Sequence, residues 1–110
     1  MKQIRFIVVV CFTLFLLSCA EERPRFKIIN ESMTKISANF IAKDCACPAF
    51  SINNILPWSE TDYRSCSTIE YIVVISDSLS KIETNFYPEL DKKYDIYFNG
   101  SSCSIISSNQ

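Results

Sequence analysis

No histidine occurs among the 110 residues, and glycine occurs once, at Gly100. The first absence removes the commonest general base, and with it any Ser-His-Asp or Cys-His catalytic arrangement. The second leaves no material for a glycine-rich phosphate loop. Basic stripes are missing as well. The only adjacent basic pair, Lys92-Lys93, is flanked by Asp91 and Asp95 and reads as a solvated turn, so no nucleic-acid partner is expected. Acidic residues are spread through turns instead of clustering as calcium ligands do. The adjacent Glu21-Glu22 falls in a stretch with no fixed geometry. We therefore expect no enzyme activity and no cofactor.

What is present begins with an export signal. Lys2 and Arg5 supply a positive start, Phe6 to Leu17 run apolar apart from Thr13, and small residues follow at Ser18 to Ala20. The apolar core is too short to cross a bilayer, which takes roughly 20 apolar residues. No polar face interrupts it, which argues against a buried core helix. Within this segment Leu16-Leu17-Ser18-Cys19 resembles the lipobox of bacterial lipoproteins. That resemblance implies a diacylglyceryl thioether on Cys19, cleavage before it, and palmitate-type acyl chains holding the protein to a membrane. Each buried CH₂ of such a chain contributes ~0.8 kcal/mol, and two or more chains give stable anchoring. Ser18-Cys19-Ala20 also fits an ordinary secretory signal, which would release a soluble disulfide-bonded protein beginning at Glu21. Ala20 is not the aspartate of inner-membrane retention, so the outer membrane is the expected address. Glu21-Glu22 is similar to the surface-export signal of Bacteroidetes lipoproteins, and it also reads as a plain charged tether. Without residues 1–18, nine basic and twelve acidic side chains remain, a net charge of −3.

Of six cysteines, Cys11 leaves with the signal and Cys19 carries lipid. Cys45, Cys47, Cys66 and Cys103 remain, an even number in a small exported domain, which reads as two disulfides. A bridge across the single residue between Cys45 and Cys47 is strained. Two pairings stay open: Cys45–Cys66 with Cys47–Cys103, or Cys45–Cys103 with Cys47–Cys66. Each bridge would contribute about 2–4 kcal/mol. The spacing lacks the paired knuckles of a four-thiolate zinc site, so no metal is expected.

The predicted organisation is a signal peptide at 1–18, a lipidated tether at 19–25, one domain at 26–107 and a frayed tail at 108–110. Period-two alternation dominates the domain. Phe26 to Ile29 and Ile36 to Ala42 read as strands forming a hairpin-like pair, with Ile41 off pattern. Residues 43–66, with Pro48 and Pro57, read as a long irregular excursion pinned by disulfides. Ser59 and Asp62 have capping-box spacing there, predicting a helical turn over 60–64. Thr68 to Ile75 is β-rich on both faces, as a central strand is. Asp77-Ser78 reads as a turn. Residues 79–87 read as a strand with Ile82, Thr84 and Phe86 on one face, or as a helix N-capped by Asp77 with Leu79, Ile82 and Phe86 on one face. Tyr94 to Phe98 alternates and runs into Asn99-Gly100, the signature of a type I′ hairpin, with a returning strand over 102–107. The stretch from Pro88 to Tyr94 faintly resembles the tyrosine corner of immunoglobulin-like domains, with a departing spacing. The expected fold is all-β: a small disulfide-stapled antiparallel β-sandwich or rolled sheet of about six strands, with α+β and a helix near 78–87 as the alternative.

The expected function is that of a non-catalytic, lipid-anchored envelope protein binding an envelope protein or glycan, with a purely structural envelope role as the alternative. The candidate binding surface is Phe50, Trp58 and Tyr63, the aromatics of the excursion, among them the sole tryptophan. The competing reading has Phe50 and Trp58 capping the open end of the sandwich, with Ile52, Ile55 and Leu56 also seeking burial.

Overall fold

The computed structural model describes residues 21–44 and 49–110. The export signal, Cys19, Cys45 and Cys47 lie outside the described residues. The fold is all-β, in two packed sheets. Its strands are β1 (Arg25–Asn30), β2 (Ile36–Ala42), β3 (Phe50–Ile55), β4 (Ser59–Glu60), β5 (Arg64–Ser65), β6 (Tyr71–Ser76), β7 (Lys81–Phe86), β8 (Lys92–Phe98) and β9 (Cys103–Asn109). The first sheet runs β4-β1-β8-β9, with β5 also on β1, and the second runs β3-β2-β6-β7. Neighbours pair antiparallel except β1 and β8, which run parallel over six residue pairs from Arg25↔Lys93 to Asn30↔Phe98.

Alternation decides what is buried. Phe26, Ile28, Tyr94, Ile96 and Phe98 point inward from the first sheet, and Ile36, Ala38, Phe40, Tyr71, Val73, Ile75 and Phe86 from the second. Ile41, the residue off pattern, is exposed. The strand reading of 79–87 holds: β7 turns Phe86 inward and leaves Leu79 90% exposed, which no shared helical face would do. Asp77 does cap, but it caps a turn. Its Oδ1 accepts the Leu79 and Ser80 N–H groups at 2.8 and 2.7 Å. Tyr94 makes a corner contact, its hydroxyl accepting the Glu89 N–H at 2.8 Å.

Several expectations are corrected. β1 and β2 are not a hairpin; they lie in different sheets and meet face to face, with the Phe26 and Phe40 rings 4.6 Å apart. The helical turn over 60–64 does not form. Ser59 Oγ donates back to the Leu56 carbonyl at 2.6 Å instead of capping forward, and the segment adds β4 and β5 to the edge of β1. The hairpin at Gly100 is shifted by one residue from the type I′ expectation. Gly100 has φ +98 while Asn99 is not left-handed, and Asn99 N–H donates to the Ser102 carbonyl. Gly100 and Ser101 are thus the central residues, as in a type II′ turn.

The tether and the tail are shorter than expected. Glu22 N–H donates to Asp91 Oδ1 at 2.8 Å, Pro24 is fully buried, and the Pro24 carbonyl accepts the Cys66 N–H. Residues 108 and 109 belong to β9, and Gln110 Nε2 donates to the Arg23 and Lys92 carbonyls.

The expected disulfides do not form among the described residues: Cys66 and Cys103 are both free thiols. Cys103 pairs with Phe98 at one end of the sandwich, whereas Cys66 follows Ser65, which pairs with Arg25 at the other. Burial pushes the Cys66 thiol up to about 11 and raises that of Cys103 as well.

Candidate functional site: the turn end

Four connections gather at the end of the sandwich opposite Glu22: 31–35, 56–58, 77–80 and 99–102. They are organised around Asn30, a polar residue with no exposure at all. A buried amide must find partners, because each unmade hydrogen bond costs about 1–3 kcal/mol. Asn30 finds five. Its Nδ2 donates to the carbonyls of Thr34, Ile55 and Leu56 at 2.8, 3.1 and 3.1 Å. Its Oδ1 accepts from the N–H and hydroxyl of Ser32 at 3.0 and 2.6 Å. The first two connections are thereby held together by one side chain. Thr34 Oγ1 donates to Asp77 Oδ2 at 3.2 Å, which joins the third. Gly100 approaches from the fourth: a Cβ built on it would lie 3.6 Å from Ser32 Cβ. Hydrogen bonds from the Leu79 and Ser80 backbone, foremost, hold the Asp77 carboxyl below its usual range.

This polar frame holds an apolar rim. Met33 is 85% exposed, Leu79 90%, Trp58 68% and Leu56 59%. Single exposed apolar residues are ordinary on a protein surface; several on neighbouring turns of one end are not. Trp58 is also strained, with φ +56, a left-handed backbone that costs an L residue roughly 1–2 kcal/mol. Pro57 before it and the Ser59 hydroxyl bond back to Leu56 hold it there. Beside Trp58, on the outer face of the first sheet, lies an open concavity of about 370 Å³ lined by Ile29, Glu31, Glu60 and Tyr97. A second of about 280 Å³ shares Glu31 and Tyr97 with it and extends past Ser104 to Ile106.

The three candidate residues do not form one site. Phe50 belongs to the core, its ring stacked on Phe40 at 4.8 Å and 5°. Tyr63 lies on the outer face of the first sheet with its functional groups already engaged. Its hydroxyl donates to Asp95 at 2.7 Å, and Lys27 Nζ lies 4.9 Å from the ring centroid. The Asp95 hydrogen bond, chiefly, raises the Tyr63 hydroxyl above its ordinary range. Trp58 alone stands at the turn end. Of the neighbouring aliphatics, Ile55 is buried, Ile52 partly so, and Leu56 is out in solvent.

The sequence and its comparisons are silent on kinship. No protein-family model and no curated protein matches the chain.

The turn end presents apolar side chains on a hydrogen-bonded polar frame. Glu60 is paired with Lys27 at 3.2 Å, and Asp77 accepts the backbone amides of its turn. Among the described residues no group of three His, Cys, Asp or Glu side chains is placed to hold a metal ion. Asn30, Met33 and Leu79 were not legible as site residues in the sequence. The signal that would have found Met33 is a large apolar residue inside the polar, turn-like stretch from Asn30 to Thr34, whereas Leu79 was read as part of the strand or helix at 79–87.

Proposed function

We propose that the protein is a lipid-anchored, non-catalytic component of a bacterial cell envelope that holds a protein partner through its turn end. The observation that carries the reading is the rim of Met33, Leu56, Trp58 and Leu79, presented on turns tied together by the buried Asn30. Apolar side chains on a rigid frame lose little conformational freedom on binding, the condition under which small surfaces give useful affinity. Methionine and leucine tips suit a protein surface better than a sugar ring.

The anchor follows from the lipobox at Leu16-Leu17-Ser18-Cys19. Because Glu22 is already hydrogen-bonded to the domain, only Cys19, Ala20 and Glu21 would separate the lipid from the folded part. Three residues reach about 10 Å at most. The domain would sit against the bilayer by its Glu22 end, leaving the turn end, at the other end of the strands, clear of the anchor. The outer membrane fits the absence of aspartate after Cys19, and surface exposure fits Glu21-Glu22.

Two measurements test this. Mass spectrometry of the protein made in a bacterium is expected to find residues 1–18 removed and acyl mass on Cys19; a product starting at Glu21 without lipid defeats the anchor. Emission from Trp58, the sole tryptophan, is expected to be that of a water-exposed indole and to shift blue with envelope proteins. An emission unmoved by envelope proteins but moved by envelope glycans overturns the choice of partner, and no response to either supports a purely structural role.

A further inference from the structure

Sheet edges in soluble proteins are normally protected from pairing with other strands, by charge, proline, bulges or brevity. Three edges here follow the rule. β4 and β5 are two residues each, β7 carries Lys81 and Glu83, and β3 has an irregular register against β2 with the left-handed Asn54. β9 does not. Its seven residues, Cys-Ser-Ile-Ile-Ser-Ser-Asn, include no charge and no proline, and they pair with β8 in unbroken register from Phe98↔Cys103 to Lys92↔Asn109.

The ladder shows which groups of β9 face outward. Gln110 N–H donates to the Asp91 carbonyl, and Asn99 N–H to that of Ser102. Both pairs are in the β8–β9 register, and hydrogen-bonded pairs recur at every second position of an antiparallel ladder. Ser104, Ile106 and Ser108 therefore bond to β8. Cys103, Ile105, Ser107 and Asn109 turn their N–H and carbonyl groups to the other edge, which is free among the described residues.

We propose that this edge pairs with the β9 of a second copy of the same chain, antiparallel about a two-fold axis at Ile106. That register is the one that uses the whole strand. Cys103 meets the partner's Asn109 and Ile105 meets the partner's Ser107, so all four outward-facing residues find partners. Ser104 meets the partner's Ser108, and no like charges oppose. Ile106, 57% exposed in the single copy, meets its own counterpart on the outer face. Two first sheets become one, and the concavity that ends at Ile106 continues into its mate. The two Glu22 ends fall at opposite ends of the pair, so an anchored pair would lie along the membrane instead of standing on one Glu22 end, with each turn end beside the partner's Glu22 end. The pairing rests on the β8–β9 ladder and is independent of lipid on Cys19.

The test is site-specific cross-linking in the full chain. Residues facing each other in a non-hydrogen-bonded antiparallel pair have Cα atoms about 4.5 Å apart, within the span of a disulfide. Ile106→Cys is expected to form a 106–106 disulfide under mild oxidation, identified as the linked peptide. Ser104→Cys places its two sulfurs four residues apart along the paired strands, roughly 13 Å, and is expected to link at least tenfold more slowly. Adding Ser107→Pro to Ile106→Cys is expected to abolish the link without unfolding the domain, because the Ser107 N–H faces the free edge. A folded Ile106→Cys protein that stays unlinked overturns the proposal and leaves the edge to some other strand. Equal linking at 104, or linking that survives Ser107→Pro, also overturns it.

Discussion

The two ends of the sandwich are held by different physics. At the Glu22 end, Phe26, Phe40, Phe50, Tyr71, Phe86 and Tyr94 form a continuous aromatic cluster, with centroid separations between 4.6 and 6.3 Å. At the turn end, one buried asparagine and its hydrogen bonds tie the turns together over the inward-facing Ile36, Ile55 and Phe98, while Met33, Leu56, Trp58 and Leu79 point outward. An aromatic cluster stabilises through area and contact and tolerates small shifts. A hydrogen-bond hub fixes positions, because an N–H and a carbonyl must meet within a few tenths of an ångström to count. The first end supplies stability and the second supplies shape. That division is what a binding surface on a small domain requires.

The largest expected effect is at the aromatic end. Phe40 touches Phe26, Phe50, Tyr71 and Phe86, and it is fully buried. Phe40→Ala should cost about 3–5 kcal/mol, the range for a large aromatic deleted from a core. Denaturant unfolding measures it; a loss under 1 kcal/mol would mean that the cluster is not the stabilising element. Asn30→Ala should rank second, at about 2–4 kcal/mol, since it removes five hydrogen bonds and takes the side-chain partner from the Ile55 carbonyl and the Ser32 N–H. The contrast lies in where the damage falls. Amide exchange should quicken at the four turns while the aromatic end stays protected, and an even spread of the effect would dissolve the distinction.

The strands were legible because alternation survives in them. β1, β2, β6, β8 and β9 all follow apolar patterns visible in the chain, and the choice of strand over helix at Lys81–Phe86 rested on the same period. Alternation tells which side chains turn inward but not which strands are neighbours. Hence β1 and β2, each with one clean apolar face, read as a hairpin although their faces meet across the core. β3, with Phe-Ser-Ile-Asn-Asn-Ile, is too rich in asparagine to stand out, and β4 and β5 are too short to have a period. Asn30 was lost for a related reason. A lone asparagine before Glu31 and Ser32 reads as a turn residue, and only the converging carbonyls of Thr34, Ile55 and Leu56 make it a core one. An even cysteine count suggested bridges, whereas the two cysteines among the described residues, Cys66 and Cys103, are free thiols.

A smaller effect concerns Cys66, at the aromatic end. Burial raises its thiol to about 11 from an ordinary 9.0. A folded-state value above the unfolded one gives a stabilising contribution that is complete below the unfolded range and disappears as pH rises through about 11. At pH 8 the same shift leaves roughly a hundredfold less thiolate than in the unfolded chain. Alkylation by iodoacetamide should slow by about that factor on folding, and equal rates in the folded and denatured protein would contradict the burial. A protonated thiol also exchanges slowly with disulfides, which would help a free cysteine persist in an oxidising compartment.

The smallest effect on stability should accompany the largest effect on binding. Trp58 contributes little burial, and its left-handed backbone suits glycine better than any L residue. Trp58→Gly removes a strain of roughly 1–2 kcal/mol but adds about 0.5–1 kcal/mol of unfolded-chain entropy, so the net change should stay within about 1 kcal/mol. Partner binding, followed by retention of the lipid-anchored protein with envelope proteins, should nevertheless fall by at least tenfold. A structural tryptophan would behave in the opposite way, with stability lost and binding kept. The position discriminates because the turn bears a conformational cost for a side chain that the core does not use, and a partner in contact with Trp58 would supply the reason for keeping it.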